Sequence, residues 1–218
     1  FSTDIAHELR TPITNLLTQT EVALSQTREP AKYRDVLASN VEELQRLARM
    51  VSDMLYLAKM EHNLTLPSIE VIELADEVRA LFEFYDAFAE DKAVRLQLQG
   101  QAQVRGDRLM LRRAFSNLLS NAIRHTPRHG CVTVSITPIE EDLAVTIDND
   151  GEAIAPDVLP FLFERFFRAD KSRARPESDG AGLGLAITKA IVLAHGGTIS
   201  ATRVHDRTRF TVRLPIRC

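Results

Sequence analysis

The sequence predicts an α+β chain, an N-terminal antiparallel helical hairpin followed by an α/β sandwich. Three observations carry that reading: apolar residues recur every three or four positions from Ile5 to Ala58, later segments alternate apolar and polar residues, and further helical stretches lie among those alternating segments. The first helix is read from Ile5 to Gln26, where Ile5, Leu9, Ile13, Leu16, Leu17 and Leu24 form one stripe and no Gly interrupts. Glu29-Pro30 breaks it. A longer helix then carries Tyr33, Leu37, Val41, Leu44, Leu47, Val51, Met54 and Ala58 in a near-heptad rhythm. So short a connection makes the two helices antiparallel neighbours, and one hairpin buries too little surface for a core of its own, which predicts a homodimer closing a four-helix bundle.

Pro67 and Ser68 mark a linker, so the chain divides at 1–66 and 67–218. In the second part, Leu74 to Lys92 reads as a helix with Leu81, Phe82, Phe84, Tyr85 and Phe88 available to a core. Alternation predicts strands at Val94–Leu98, Val132–Ile136, Leu143–Ile147 and Phe210–Leu214, with helices at Leu109–Arg124 and Leu183–His195. Strands grouped together favour a layered α+β sandwich over a doubly wound sheet.

Composition narrows the function classes. The 218 residues include 27 Lys plus Arg against 30 Asp plus Glu, a net charge of -3, which gives no basis for direct nucleic-acid binding. Cys131 and Cys218 lack metal-ligand or CxxC spacing and read as free thiols of a reducing compartment. No stretch approaches the roughly 18 apolar residues of a membrane span. The chain opens at Phe1 with helical periodicity already running, so it reads as a piece of a longer protein whose membrane segments, if any, lie upstream.

Three segments carry candidate chemistry. In His7-Glu8-Leu9-Arg10-Thr11-Pro12, His7 and Thr11 stand four apart on one helical face, opposite the apolar stripe. An exposed imidazole is a nucleophile near neutral pH, and the neighbouring Glu8 carboxylate can hold or remove its other proton. Pro12 predicts a kink just beyond. Alone, this is more simply a solvated helix face. Asn117 and Asn121, one turn apart and followed by Arg124 and His125, offer hard amide oxygens to Mg²⁺ and a cation to phosphate, or else are surface residues near a helix end. Asp179-Gly180-Ala181-Gly182-Leu183-Gly184-Leu185 runs straight into an apolar helix, giving either a phosphate cradle of backbone N–H groups or a flexible hinge. It lacks the preceding strand of a dinucleotide fingerprint and the Gly-Lys-Ser/Thr of a P-loop. Between these lie the polar strand end Ile147-Asp148-Asn149-Asp150-Gly151-Glu152-Ala153-Ile154, able to read a base edge, the aromatic group Phe163, Phe166 and Phe167, more simply packing, and a charged stretch from Ala169 to Asp179 that reads as a mobile lid.

Taken in this order, the segments resemble the sensor histidine kinases of bacterial two-component systems over nearly the whole chain. His7 to Pro12 is similar to the phosphoacceptor box, Asn117 to Ala122 to the N box, Asn149 to Ile154 to the first Gly box, Phe163 to Phe167 to the F box and Gly180 to Gly184 to the second Gly box. Phe1 to Glu8, Leu17 to Ser25, Ala75 to Val78 and Arg112 to Asn121 further resemble the heavy-metal, copper/silver-sensing branch. The resemblance implies a sandwich of the histidine kinase/gyrase/chaperone ATPase type, with ATP and Mg²⁺ as cofactors. It implies that His7 attacks the γ-phosphate, that Glu8 orients or deprotonates it, and that Asn121, helped by Asn117, holds Mg²⁺. Arg124 stands where the family usually has a Lys on the phosphates and His125 where it often has a Tyr beside adenine. The remaining nucleotide contacts would fall to Asn149, Gly151, Ile154, Phe163, Gly180, Gly182, Gly184 and Leu185. Thr11 matches a position that aligns water to dephosphorylate the partner, a response regulator that is usually a DNA-binding transcription factor. The chain is then expected to be the cytoplasmic portion of a bacterial inner-membrane protein.

One departure stands out: the first Gly box usually reads Asp-x-Gly-x-Gly, whereas here Asn149 takes the Asp place and Ala153 the second Gly. A neutral acceptor makes a weaker hydrogen bond than a carboxylate, so modest nucleotide affinity is expected, with Asp148 as the alternative acceptor. An inactive dimeric scaffold is disfavoured by the intact His7, Asn121 and glycines. A gyrase- or chaperone-type ATPase is disfavoured by the phosphoacceptor helix and by Asn117 where those enzymes use Glu.

Overall fold

A computed structural model describes residues 2–62, 68–151, 154–168, 182–205 and 207–216, with the side chains of 2–5, 7 and 61–62 excepted. Two helices open the chain, α1 at Ser2–Leu24 and α2 at Pro30–His62. The helical stripes and the Pro30 start predict both, and α1 remains helical through Pro12. Their antiparallel turn is tied by Arg28, whose guanidinium donates to the Val22 carbonyl (3.1 Å), and Asn40 donates to the Thr20 hydroxyl across the pair (3.0 Å).

The second part comprises β1 (Glu70–Glu73), α3 (Leu74–Asp91), β2 (Arg95–Gln99), β3 (Gln103–Gly106), α4 (Arg108–His125), β4 (Cys131–Ile139), β5 (Asp142–Asp150), α5 (Gly184–Ala194), β6 (Thr198–Val204) and β7 (Arg207–Pro215). The main sheet runs β2-β4-β5-β7-β6, antiparallel except where β2 lies parallel to β4, and β1 and β3 form a separate two-stranded ladder. Alternation decides the faces. Val132, Val134 and Ile136 of β4 and Leu143, Val145 and Ile147 of β5 are buried in the core with α4's Leu111, Phe115 and Leu118, whereas Thr133 and Ser135 point the other way and are only half-buried. This is the two-layer sandwich that the alternation predicts.

Two details differ from expectation. Phe84 and Phe88 of α3, assigned to the core by their spacing, are 75% and 38% exposed. Phe84 and Phe88 follow the buried Leu81 at three and seven residues on the same side of α3, at the margin of the face that the core covers. The linker position Pro67, and with it the 66/67 boundary, lies outside the described residues.

Helix α2 does not stand apart from the sandwich. Its Met50, Leu57 and Met60 are buried in the same core as α4 and α5. Asp53 pairs with Arg113 of α4, whose guanidinium lies 4.0 Å over the Tyr56 ring. Burial raises the Asp53 pKa even though Arg113 pulls it down. At the other end of α4, Asp107 caps the helix by accepting from the Met110 amide (3.0 Å), and it also accepts the Ser68 amide (3.2 Å). The Asp107 amide donates to Nε2 of His195 (3.0 Å), while Nδ1 of that ring meets the Ile191 carbonyl (2.8 Å). The partners assign the Nδ1–H tautomer, and burial pushes the His195 pKa down.

Candidate nucleotide site

The candidate residues assemble on α4. Asn117 and Asn121 lie one turn apart and are half-buried, which spacing alone predicts for one helix face. Asn117 donates its Nδ2 to the carbonyl of Gly184 (3.0 Å), the first residue of α5. Leaving the amide oxygen as an acceptor, this bond holds the N-terminal end of an 11-residue helix against the Asn face. The hydroxyl of Thr188 also donates to the Gly184 carbonyl (2.9 Å). A helix N-terminus anchored beside amide oxygens suits both an anion and its cation.

The C-terminal end of α4 exposes Arg124 and His125 and touches the end of β5. A Cβ at Gly151 would stand 2.7 Å from the His125 carbonyl, and Gly151 has φ +152°, so only glycine lets these two segments approach. Asn149 is 4% exposed and shares the helix-facing side of β5 with Ile147. Its Nδ2 donates to the Asp150 carbonyl (3.1 Å). The two flanking acids are engaged in the sheet instead. Asp148 accepts from Arg209 Nε (2.6 Å) and NH2 (3.0 Å), and Asp150 accepts from the Cys131 amide (2.8 Å) and Arg207 Nε (2.7 Å).

Ile154 and Leu185 are half-buried against the core, and the Phe163 ring meets Phe210 edge to face, with centroids 6.3 Å apart. Gly182 has φ +71° and accepts the Phe166 amide on its carbonyl (3.0 Å), joining the aromatic segment to the start of α5. Gly180 and the charged segment 169–179 lie outside the described residues. His7 lies in α1, with its side chain outside the described atoms, and Glu8 and Thr11 on that helix are exposed. The structure therefore brings Gly184 to Asn117 and Gly151 to His125, joining the start of α5 and the end of β5 to α4, and leaves the His7 to Pro12 segment on the hairpin. The links from α4 to Lys92, Asp53 and His195 escape sequence reading, because no local motif pairs residues so far apart in the chain.

This constellation defines an ATPase domain of the histidine kinase type joined to a helical hairpin. Residues 106–217 match the family described as histidine kinase-, DNA gyrase B-, and HSP90-like ATPase, and residues 1–63 match the His Kinase A phospho-acceptor domain. The chain belongs to the sensor histidine kinases. It is 53% identical over 216 residues to the sensor histidine kinase CusS of Escherichia coli O6:H1, covering 99% of this chain and 45% of that protein. It is 44% identical to the probable sensor kinase SilS of Salmonella typhimurium, covering 99% and 44%. The chain thus spans less than half the length of these relatives. Among solved structures, the Acinetobacter baumannii histidine kinase AdeS superposes with a TM-score of 0.79 at 22% identity, covering 97% of this chain and 98% of that one. Histidine kinase ThkA, solved with the response regulator TrrA, gives 0.78 at 20% identity, covering 99% and 60%.

The two β5 residues make opposite predictions. Asn149→Ala is expected to weaken ATP binding about threefold to tenfold, the worth of one net hydrogen bond. Asp148→Asn should leave ATP binding within about twofold but lower stability by about 1 kcal/mol, because Arg209 is 39% exposed and the pair is partly screened. Calorimetric ATP titration beside thermal melting checks both. The reverse pattern would reassign the adenine acceptor to Asp148.

Proposed function

We propose that this chain transfers the γ-phosphoryl group of ATP to His7 and from there to an Asp of a response regulator. The observation that carries the proposal is the Asn117–Gly184 bond, which sets a helix N-terminus beside the amide face of α4. In the forward step an imidazole nitrogen of His7 attacks Pγ, the bond from Pγ to the bridging oxygen breaks, and ADP leaves. Glu8 orients the ring or takes its proton. Asn121, helped by Asn117, would hold Mg²⁺, which neutralises phosphate charge. The donor set fits a cation that keeps waters and shares phosphate oxygens, since two hard amide oxygens one turn apart can fill only part of its shell. Arg124 would meet the phosphates, and His125, Asn149, Gly151, Ile154, Phe163 and Leu185 the base side. Gly180, Gly182 and Gly184 would line the phosphate side, and Thr11 supports a regulator phosphatase activity.

We further propose that 1–66 forms the dimerisation and phosphotransfer hairpin and 67–218 the catalytic domain. The hairpin leaves Ile13, Leu17, Leu37, Val41, Leu44 and Leu55 each more than two-fifths exposed, an apolar stripe suited to a second copy completing a four-helix bundle. The partner regulator is a DNA-binding transcription factor by resemblance. The same resemblance makes the chain the cytoplasmic portion of a bacterial inner-membrane protein; no described helix is itself long and apolar enough to cross a membrane. The narrower heavy-metal, copper/silver branch rests on the resemblance of the sequence and the 53% identity to CusS.

The test is incubation of the chain with γ-labelled ATP and Mg²⁺. Acid-labile label on the protein supports the kinase; free phosphate with no protein label would favour a gyrase-type ATPase, and bound ATP without either product a scaffold.

A further inference from the structure

Three backbone carbonyls converge on one ammonium behind the candidate site. Lys92, at the C-terminal end of α3, donates from Nζ to the carbonyls of Ile123 (3.1 Å), Arg124 (2.6 Å) and Thr126 (3.2 Å). Those carbonyls belong to the end of α4, where a helix leaves its last acceptors without intrahelical donors. An ammonium has three donors, so its capacity is matched to the three acceptors, and its charge offsets the negative end of the helix. The same corner holds the following turn. Ala93, in the left-handed region at φ +51°, accepts the His129 amide on its carbonyl (3.0 Å), and the Arg95 amide donates to the Gly130 carbonyl (2.9 Å).

The opposite side of this segment is the candidate site itself. The His125 carbonyl, flanked on both sides by carbonyls that Lys92 holds, is the atom a Cβ at Gly151 would meet at 2.7 Å. A Cβ at Gly130 would in turn lie 3.4 Å from the Asp150 Cβ. The segment from Ile123 to Gly130 is thus gripped from behind by the α3–β2 corner and abuts the Asn149–Gly151 strand end in front. We infer that Lys92 is a positioning residue for nucleotide binding, setting Arg124 and His125 against Asn149 and Gly151 by clamping the carbonyl end of α4.

Lys92 acts through the backbone it holds, with its ammonium spent on carbonyls and not on nucleotide. Burial, and next the nearby Arg124 charge, lower its pKa, as expected for an ammonium drawn from water onto carbonyls. The inference rests on the proposed function, because the residues it positions are the ones assigned to ATP there.

The experiment measures ATP and ADP affinity by calorimetry in the parent and in Lys92→Met, which keeps the aliphatic stem and removes all three donors. Labelling of His7 is followed against ATP concentration, and thermal melting gives the folded fraction. Lys92→Met is expected to raise the ATP dissociation constant and the ATP concentration for half-maximal labelling by about tenfold, with the saturated labelling rate within about twofold. Lys92→Arg, which retains the charge and several donors, should recover part of the affinity. A parent that binds ATP and a folded Lys92→Met that binds it equally well would overturn the inference while leaving the proposed function standing. Equal affinity per folded molecule with a reduced folded fraction would also overturn it, since that is the signature of stability alone. A parent that binds no ATP would remove the proposed function first.

Discussion

A His7→Gln chain incubated with γ-labelled ATP and Mg²⁺ should carry no acid-labile phosphate, a loss of at least about 100-fold, while binding ATP within about twofold of the parent. Gln is close in size and a good helix former, so α1 keeps its backbone, but an amide nitrogen has no lone pair free to attack phosphorus. The separation of the two readouts follows from the fold, because His7 belongs to α1 and the ATP-assigned residues to the sandwich. The other histidines make the experiment discriminating. Both ring nitrogens of the buried His195 are engaged, with the Asp107 amide and the Ile191 carbonyl, which removes it as an acceptor. His125, His129 and His205 are exposed on the sandwich, and persistent label in His7→Gln would point to one of them or to His62. Retained acid-labile label would therefore overturn the acceptor assignment without touching ATP binding.

The second large effect is expected at Gly182. Its φ of +71° is unfavourable for any residue with a Cβ and worst for a β-branched one. A Cβ there would lie 2.8 Å from the Phe166 carbonyl carbon and 3.0 Å from the Phe167 oxygen, both backbone atoms that cannot swing aside. Phe166 already has φ +60°, so the contact joins two left-handed residues. Gly182→Val should cost roughly 3 kcal/mol locally by adding backbone strain to a clash. The local answer is for the segment before α5 to detach from Phe166, disturbing the helix N-terminus that Asn117 anchors through Gly184. ATP affinity is expected to fall about 100-fold, with the thermal midpoint down by several degrees. Calorimetry and melting on the same sample check this, and a Gly182→Val protein that bound ATP like the parent would exclude the Gly-rich segment from the site.

The hairpin, the long helices and strands β4, β5 and β7 were legible because each repeats its pattern over many residues. The short β1 and β3 ladder was not, since four residues a strand give too few alternations to stand above chance, and β6 was missed for its polar composition, Thr-Ile-Ser-Ala-Thr-Arg-Val. Phe84 and Phe88 show the limit of helical periodicity. It groups residues on one face but does not say how much of that face the neighbouring layer covers. At the candidate site, motif order named the residues to consider, while the pairing of Asp148 with Arg209 depends on the β5–β7 register, which no local pattern carries.

What the sequence by itself determined were features that depend on neighbours a turn or a pleat apart: the His7–Thr11 and Asn117–Asn121 faces, the glycines before α5, and the alternation that gives the sheet an inner side. Such features follow from the 3.6- and 2-residue periods of the backbone and need no knowledge of the rest of the chain. Only the tertiary structure decided that Asn117 holds Gly184, that Arg209 occupies Asp148, and that Lys92 clamps three carbonyls more than thirty residues away. These contacts exist because closing the chain brings distant polar groups together and draws them partly from water, so that each donor and acceptor takes whichever partner the packing supplies.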